Sequence, residues 1–361
     1  MKEAEKSHKQ ANENDPTLAS AIAGLAAIAE RNGDREATLD YLTSAAALGP
    51  TKEADRKKIE TLYRQTRNGS LAGLEEMLDA KYRKLNPPPL RVEPYKATPA
   101  HTGRVVLAEL FTGSGCRPCV AADLGFDALL ERYGRRDFAL LTYHLHVPLP
   151  DPMTNPSAQT RARFYGKIGT PTYAIDGSQK AGGGSKERTR SFFGRNNPKV
   201  EDRLASPPEA NLKLAAALEG GQVKAKVTVE QVKSESPDLK LQIALVENEL
   251  RYTGENGVRF HSMVVRSLGG KDALGFPVAT QGQTAVEWTF DLKAIEGEIK
   301  KYLDEYEKEG HRGEEFTFSE KMFQLAPNNL SVVAFVQDEK SKKVLQAAYV
   351  KIHSPAQEGG K

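Results

Sequence analysis

Between residues 17 and 86 the apolar positions recur at helical spacing. Residues 25–50 hold two apolar helical runs that meet at Asn32-Gly33-Asp34 and stop at Pro50, and a second helix pair follows over residues 52–85. Residues 1–17 are polar, as expected of a disordered arm or a frayed helix. The pattern breaks at Asn86-Pro87-Pro88-Pro89, where successive prolines fix φ and remove backbone donors, giving a stiff linker over residues 87–96. Beyond it, residues 105–111 form an apolar run that predicts a buried strand, and residues 120–133 predict a helix. Residues 137–144 are continuously apolar, as a buried parallel strand should be. Asn155-Pro156 opens a helix ending near Gly166, residues 169–177 give a third strand and its turn, and a basic helix is expected over residues 186–204. The triplet Gly182-Gly183-Gly184 is expected to be a hairpin turn. After Pro207-Pro208, seven stretches alternate apolar and polar residues (212–218, 223–232, 239–250, 258–267, 284–292, 330–338 and 344–352). One helix, residues 293–310, interrupts them.

The expected architecture is therefore multidomain. Residues 1–86 form a helical segment, 87–96 a linker, 97–206 an α/β domain, 207–355 an antiparallel β-sandwich and 356–361 a tail. At 39% hydrophobic and 27% charged residues the composition is that of an ordinary globular protein, and a net charge of +3 argues for neither a nucleic-acid partner nor an acidic substrate. No run of 18 apolar residues exists, so no membrane span is expected. The first residues, Met1-Lys2-Glu3-Ala4-Glu5-Lys6, contain no apolar core, so no signal peptide is visible. Either the protein is cytosolic or the sequence begins after a removed leader.

The chain has two cysteines, Cys116 and Cys119, and they fall where the first strand hands over to a helix. Unpaired N–H groups and the positive end of the helix dipole stabilise a thiolate there, and Arg117 adds a cation beside it. Cys116 is the expected nucleophile and Cys119, one turn on, the expected resolving thiol. Three readings of the pair are open: a redox dithiol, half of a zinc site, and a structural clip. A zinc site would need further ligands, for which His144 and His146 are the candidates. Glu109 is the one carboxylate of the preceding strand and is either a proton relay to the dithiol or a partnered structural carboxylate. His144, His146 and Asp151 leave the end of the second strand, on a loop expected to overhang the cysteines. They either tune Cys116 or hold the proline-rich loop.

Two resemblances follow from these residues. Residues 25–50 resemble a tetratricopeptide-repeat hairpin, which implies partner binding or a spacer role. The Cys-Arg-Pro-Cys motif at a helix start, with Thr170-Pro171 directly before Tyr173-Ala174-Ile175, resembles the thioredoxin fold over residues 97–205. Glu109-Leu110-Phe111-Thr112, Gly115-Cys116 and Ala122-Asp123 are similar to a group of secreted or outer-membrane-associated thioredoxin-like proteins. The likeness implies that Pro171 is a cis-proline facing the dithiol and that the Thr170 backbone pairs with a substrate chain. It implies thiol-disulfide oxidoreductase activity on protein or peptide disulfides, with no cofactor beyond the redox-active disulfide, in a periplasmic or secreted setting. Gly115 stands where thioredoxin has a Trp, which removes an apolar docking surface. The alternative is a non-catalytic envelope binding or scaffold module with a structural disulfide.

Overall fold

The computed structural model of the chain describes residues 2–97, 102–166 and 168–352, and the tail expected over 356–361 lies outside them. Five helices lead the chain: α1 (Lys2–Asn14), α2 (Ala19–Arg31), α3 (Arg35–Ala46), α4 (Glu53–Thr66) and α5 (Leu74–Leu85). The polar stretch expected to be disordered or frayed is helical in α1, where it buries no residue and carries an i,i+4 pair, Glu5 to Lys9 at 2.7 Å. Between α2 and α3, Gly33 adopts φ +73° and Asp34 caps α3 by accepting the Ala37 N–H at 3.0 Å. Residues 251–260 belong to this helical unit, although they lie far along the chain. Arg259 donates to Asp79 at 2.8 Å and to Glu75 at 2.7 Å, and Tyr82 meets Phe260 edge-on at 5.3 Å.

The second unit takes residues 89–250 and those from 261 onward. Its first half runs β1 (Val106–Thr112), α6 (Val120–Asp137), β2 (Phe138–His144), α7 (Pro156–Phe164), β3 (Thr172–Ile175), β4 (Ser178–Ala181) and α8 (Thr189–Leu204). Its second half runs β5 (Asn211–Glu219), β6 (Gln222–Glu230), β7 (Leu239–Arg251), β8 (Phe260–Leu268), β9 (Phe276–Pro277), β10 (Thr284–Asp291), α9 (Leu292–Glu309), β11 (Leu330–Asp338) and β12 (Val344–Lys351). β1 lies parallel to β2, from Val106 opposite Phe138 to Thr112 opposite His144, and antiparallel to β3, which pairs antiparallel with β4. None of the described helices is long and apolar enough to cross a membrane.

The seven alternating stretches are all strands, but they do not close into a sandwich of their own. β7, β8, β11 and β12 continue the sheet that carries β1, in the order β12-β11-β7-β8-β2-β1-β3-β4, and β9 pairs with β7. The junction is a short parallel contact, Thr142 opposite Val264. Only β5, β6 and β10 form a separate antiparallel sheet. Burial explains the division. β7 turns Leu239, Leu241, Ile243 and Leu245 into a core shared with β6 and α9, and Ala244 and Val246 into the core around β1 and β2, as a central strand covered on both faces must. β5 keeps the strict alternation of a strand with one wet face.

Candidate functional site

Beyond β1 the chain turns through Gly113, Ser114 and Gly115, and the Cys116 N–H bonds the Gly113 carbonyl at 2.9 Å. A single 3-10 turn, Arg117–Cys119, then runs into α6. Cys116 and Cys119 are joined as a disulfide with their Cα atoms 5.3 Å apart, so neither sulfur offers a thiolate to a metal. Among the described residues no cluster of three or more His, Cys, Asp or Glu could hold a metal ion. Arg117 and Pro118 are exposed, whereas both cysteines are 0% exposed.

Two segments enclose the disulfide. On one side lies the glycine triplet, which leads from β4 towards α8. Its Gly184 N–H donates to the Pro118 carbonyl at 2.7 Å, its Gly184 carbonyl accepts from Ala121 at 2.9 Å, and its Gly182 N–H donates to the Pro171 carbonyl at 3.2 Å. The Thr170–Pro171 bond is cis. A Cβ on Gly183 would stand 2.2 Å from the Pro118 oxygen and 2.6 Å from Pro171 Cγ. The triplet is therefore more than a turn: its missing side chain lets Pro171 and Pro118 approach the same backbone. On the other side lies the loop after β2. A Cβ on Gly113 would meet the Val147 oxygen at 2.7 Å, one on Gly115 would meet Leu149 at 2.9 Å, and the Thr170 hydroxyl donates to the Val147 carbonyl at 2.8 Å.

The loop is anchored by Asp151, which is buried. Its carboxylate accepts the Ser114 N–H at 2.5 Å and the Met153 N–H at 2.8 Å, and lies 2.9 Å from His144 Nδ1. Burial alone would raise the Asp151 pKa, but His144 and these two N–H donors outweigh it and hold the carboxyl well below its usual range. His146 accepts the Asp151 N–H at 2.9 Å and stacks on Tyr306 at 3.7 Å, and burial lowers its pKa to about 4. Of the three residues named for this loop, His144 and Asp151 thus pair directly, and His146 braces the loop.

Glu109 faces the other way. Arg161 on α7 grips its carboxylate through Nε at 2.6 Å and an NH2 at 2.9 Å, while the Tyr143 and Tyr165 hydroxyls donate at 3.1 and 2.5 Å. Its neighbour-but-two on β1, Thr112, bonds α6 instead, so strand parity puts Glu109 on the α7 face and away from the helix that carries the disulfide. Burial works against the Arg161 charge, but Glu109 more than offsets it and keeps the guanidinium pKa raised.

The acid that does share the α6 face is Asp123, one helical turn beyond Cys119. The Thr112 hydroxyl donates to it at 2.8 Å, and desolvation nonetheless pushes its pKa up to about 7. Asp127, a further turn on, is pushed up to about 6, again by burial. Asp123 stood in the sequence four residues after Cys119 and within the Ala122-Asp123 pair of the family resemblance, and neither gave it a role.

The arrangement defines an α/β protein with an enclosed Cys-X-X-Cys disulfide at a strand-to-helix junction. No family model and no curated protein matches the chain. Among solved structures, it is similar to a domain of the outer membrane lipoprotein Omp28 from Porphyromonas gingivalis at 16% identity, over 40% of this chain and 99% of that one, with a TM-score of 0.23. A DUF3823 family protein from Bacteroides ovatus matches at 13% identity over 40% of this chain and 55% of that one, with a TM-score of 0.20. At such scores neither likeness bears on fold or role.

Proposed function

We propose that the chain is a binding or scaffold module of an extracytoplasmic compartment, periplasmic or secreted, in which Cys116–Cys119 is the structural disulfide of a thioredoxin-like domain. The observation that carries this reading is the enclosure of the disulfide, since both cysteines are 0% exposed and a disulfide sulfur without access is not attacked by a partner thiolate. A disulfide with no free cysteine elsewhere suits an oxidising compartment. Support for the thioredoxin-like assignment comes from the order β2-β1-β3-β4, the Cys-X-X-Cys at the start of the helix after β1, and the cis bond before Pro171. The helical segment, repeat-like in its α2–α3 hairpin, is the proposed partner-binding face. The test is dithiothreitol-driven reduction of insulin: no acceleration by the chain is expected, and turnover overturns the structural reading.

A second reading, thiol-disulfide exchange, is favoured by two features. Gly183 holds Pro171 and Pro118 against the same backbone, and Asp123, with its pKa of about 7, sits one turn from Cys119. Here Cys116, flanked by Arg117, attacks a protein or peptide disulfide, Cys119 resolves the mixed disulfide, and Thr170 and Pro171 orient the partner chain. A Cys119→Ser variant that captures partner proteins on Cys116 would support it, and capture of none by an accessible thiol would remove it.

A further inference from the structure

We infer that Val147, Pro148, Leu149 and Pro150 form a displaceable cover over the Cys116–Cys119 disulfide, so that access of any thiol is set by the opening of this segment. The inference rests on the enclosed disulfide that both readings of the site share. The cover is anchored at both ends and lightly held between them. Leu145 is buried and its N–H bonds the Thr112 carbonyl at 2.9 Å, and Asp151 is locked by Ser114 and His144. Between these anchors the sequence is His-Val-Pro-Leu-Pro; His146 is held on Tyr306, and beyond it the two prolines of the segment have no N–H to give. Its described bonds are the Val147 N–H on the Leu145 carbonyl at 2.8 Å, the Thr170 hydroxyl on the Val147 carbonyl at 2.8 Å and the exposed Arg312 on the Pro148 carbonyl at 3.2 Å. Val147 is 37% exposed.

The segment lies against the turn that leads into Cys116. Val147 and Leu149 lie against Gly113 and Gly115, positions where any side chain would collide with them. The opposite wall is different in kind, because the glycine triplet is tied to Pro118, Ala121 and Pro171 by three backbone hydrogen bonds. The more lightly bonded side of the enclosure is thus the proline-rich loop, and it is the side inferred to open. Once it lifts, a thiolate attacks Cys116 Sγ, the S–S bond breaks and Cys119 leaves as a thiolate. A second thiol then displaces Cys116 from the mixed disulfide, and two electrons have passed to the protein.

The experiment measures the rate of reduction of the full chain by dithiothreitol, read as free thiols, over a wide reductant range, alongside urea denaturation of each variant. The wild-type rate is expected to level off at high dithiothreitol, at a value far above the global unfolding rate. Leu149→Ala, which strips the side chain resting on Gly115, is expected to raise the rate about tenfold, and Thr170→Val to raise it several-fold. A wild-type rate that climbs linearly to that of a short Cys-Arg-Pro-Cys peptide overturns the cover, as does an unchanged rate in folded Leu149→Ala. Faster reduction of the variants with no insulin turnover keeps the cover and removes the exchange reading. Turnover with unchanged variant rates does the reverse.

Discussion

Changing Glu109 to Gln removes one charge from a buried pair and leaves the other. The Arg161 guanidinium is 3% exposed, with Glu109 at 2.6 and 2.9 Å and Gln337 at 2.5 Å as its hydrogen-bond acceptors. Breaking such a pair from one side costs about 3–5 kcal/mol. Gln keeps an oxygen for the guanidinium and the tyrosine hydroxyls, so Glu109→Gln belongs near the lower end, at about 3 kcal/mol. Arg161→Met strands the carboxylate with two tyrosine donors at a similar cost. The double variant removes both charges of the pair and should lie within about 2 kcal/mol of wild type, because neither charge is left buried without its partner. Urea denaturation followed by circular dichroism, with the fluorescence of the chain's one Trp, Trp288, as a second probe, closes the cycle. A cost below about 1 kcal/mol for Glu109→Gln, or additive single variants, would refute the picture of a saturated structural carboxylate.

Asp123→Asn tests the acid beside the disulfide. Because the folded pKa of about 7 lies above the ordinary 3.8, its contribution to stability is fully present below pH 4 and is lost as pH rises through 7. The Asn variant should therefore gain on wild type between pH 4.5 and 8, by about 2–4 kcal/mol once the partial exposure of the carboxyl is allowed for; a pH-independent difference would contradict it. Gly183→Ala drives a Cβ to 2.2 Å from the Pro118 carbonyl and should cost about 1–3 kcal/mol by denaturation. Gly194→Ala, on α8 with nothing within 4 Å, should instead add about 0.5–1 kcal/mol.

The Cys-X-X-Cys junction, the helix pairs and the individual strands were legible because each has a local signal: a spacing, a cap or a period of two. The joining of β2 to β8 had none, because a parallel contact between distant segments leaves no mark on either. Burial of successive residues, Leu241 with Gln242 on β7 and Val332 with Val333 on β11, marks strands covered on both faces, where the sequence pattern had shown only alternation. Glu109 shows a second limit. Its strand parity was known only up to a choice of two faces, and Arg161, on α7, decided it. Asp123 shows a third, because a carboxyl at i+4 from a cysteine is common, and only Thr112 and the surrounding burial make it a perturbed one. In the glycine triplet, turn chemistry was visible but the close approach of Pro118 and Pro171 was not.

The reduction potential of Cys116–Cys119, taken by equilibration with glutathione long enough for the site to open, tests the enclosed disulfide most directly. A structural clip is predicted to lie below about −300 mV and to stay oxidised against the glutathione pool. A value between about −120 and −270 mV, where exchange catalysts work, would contradict it.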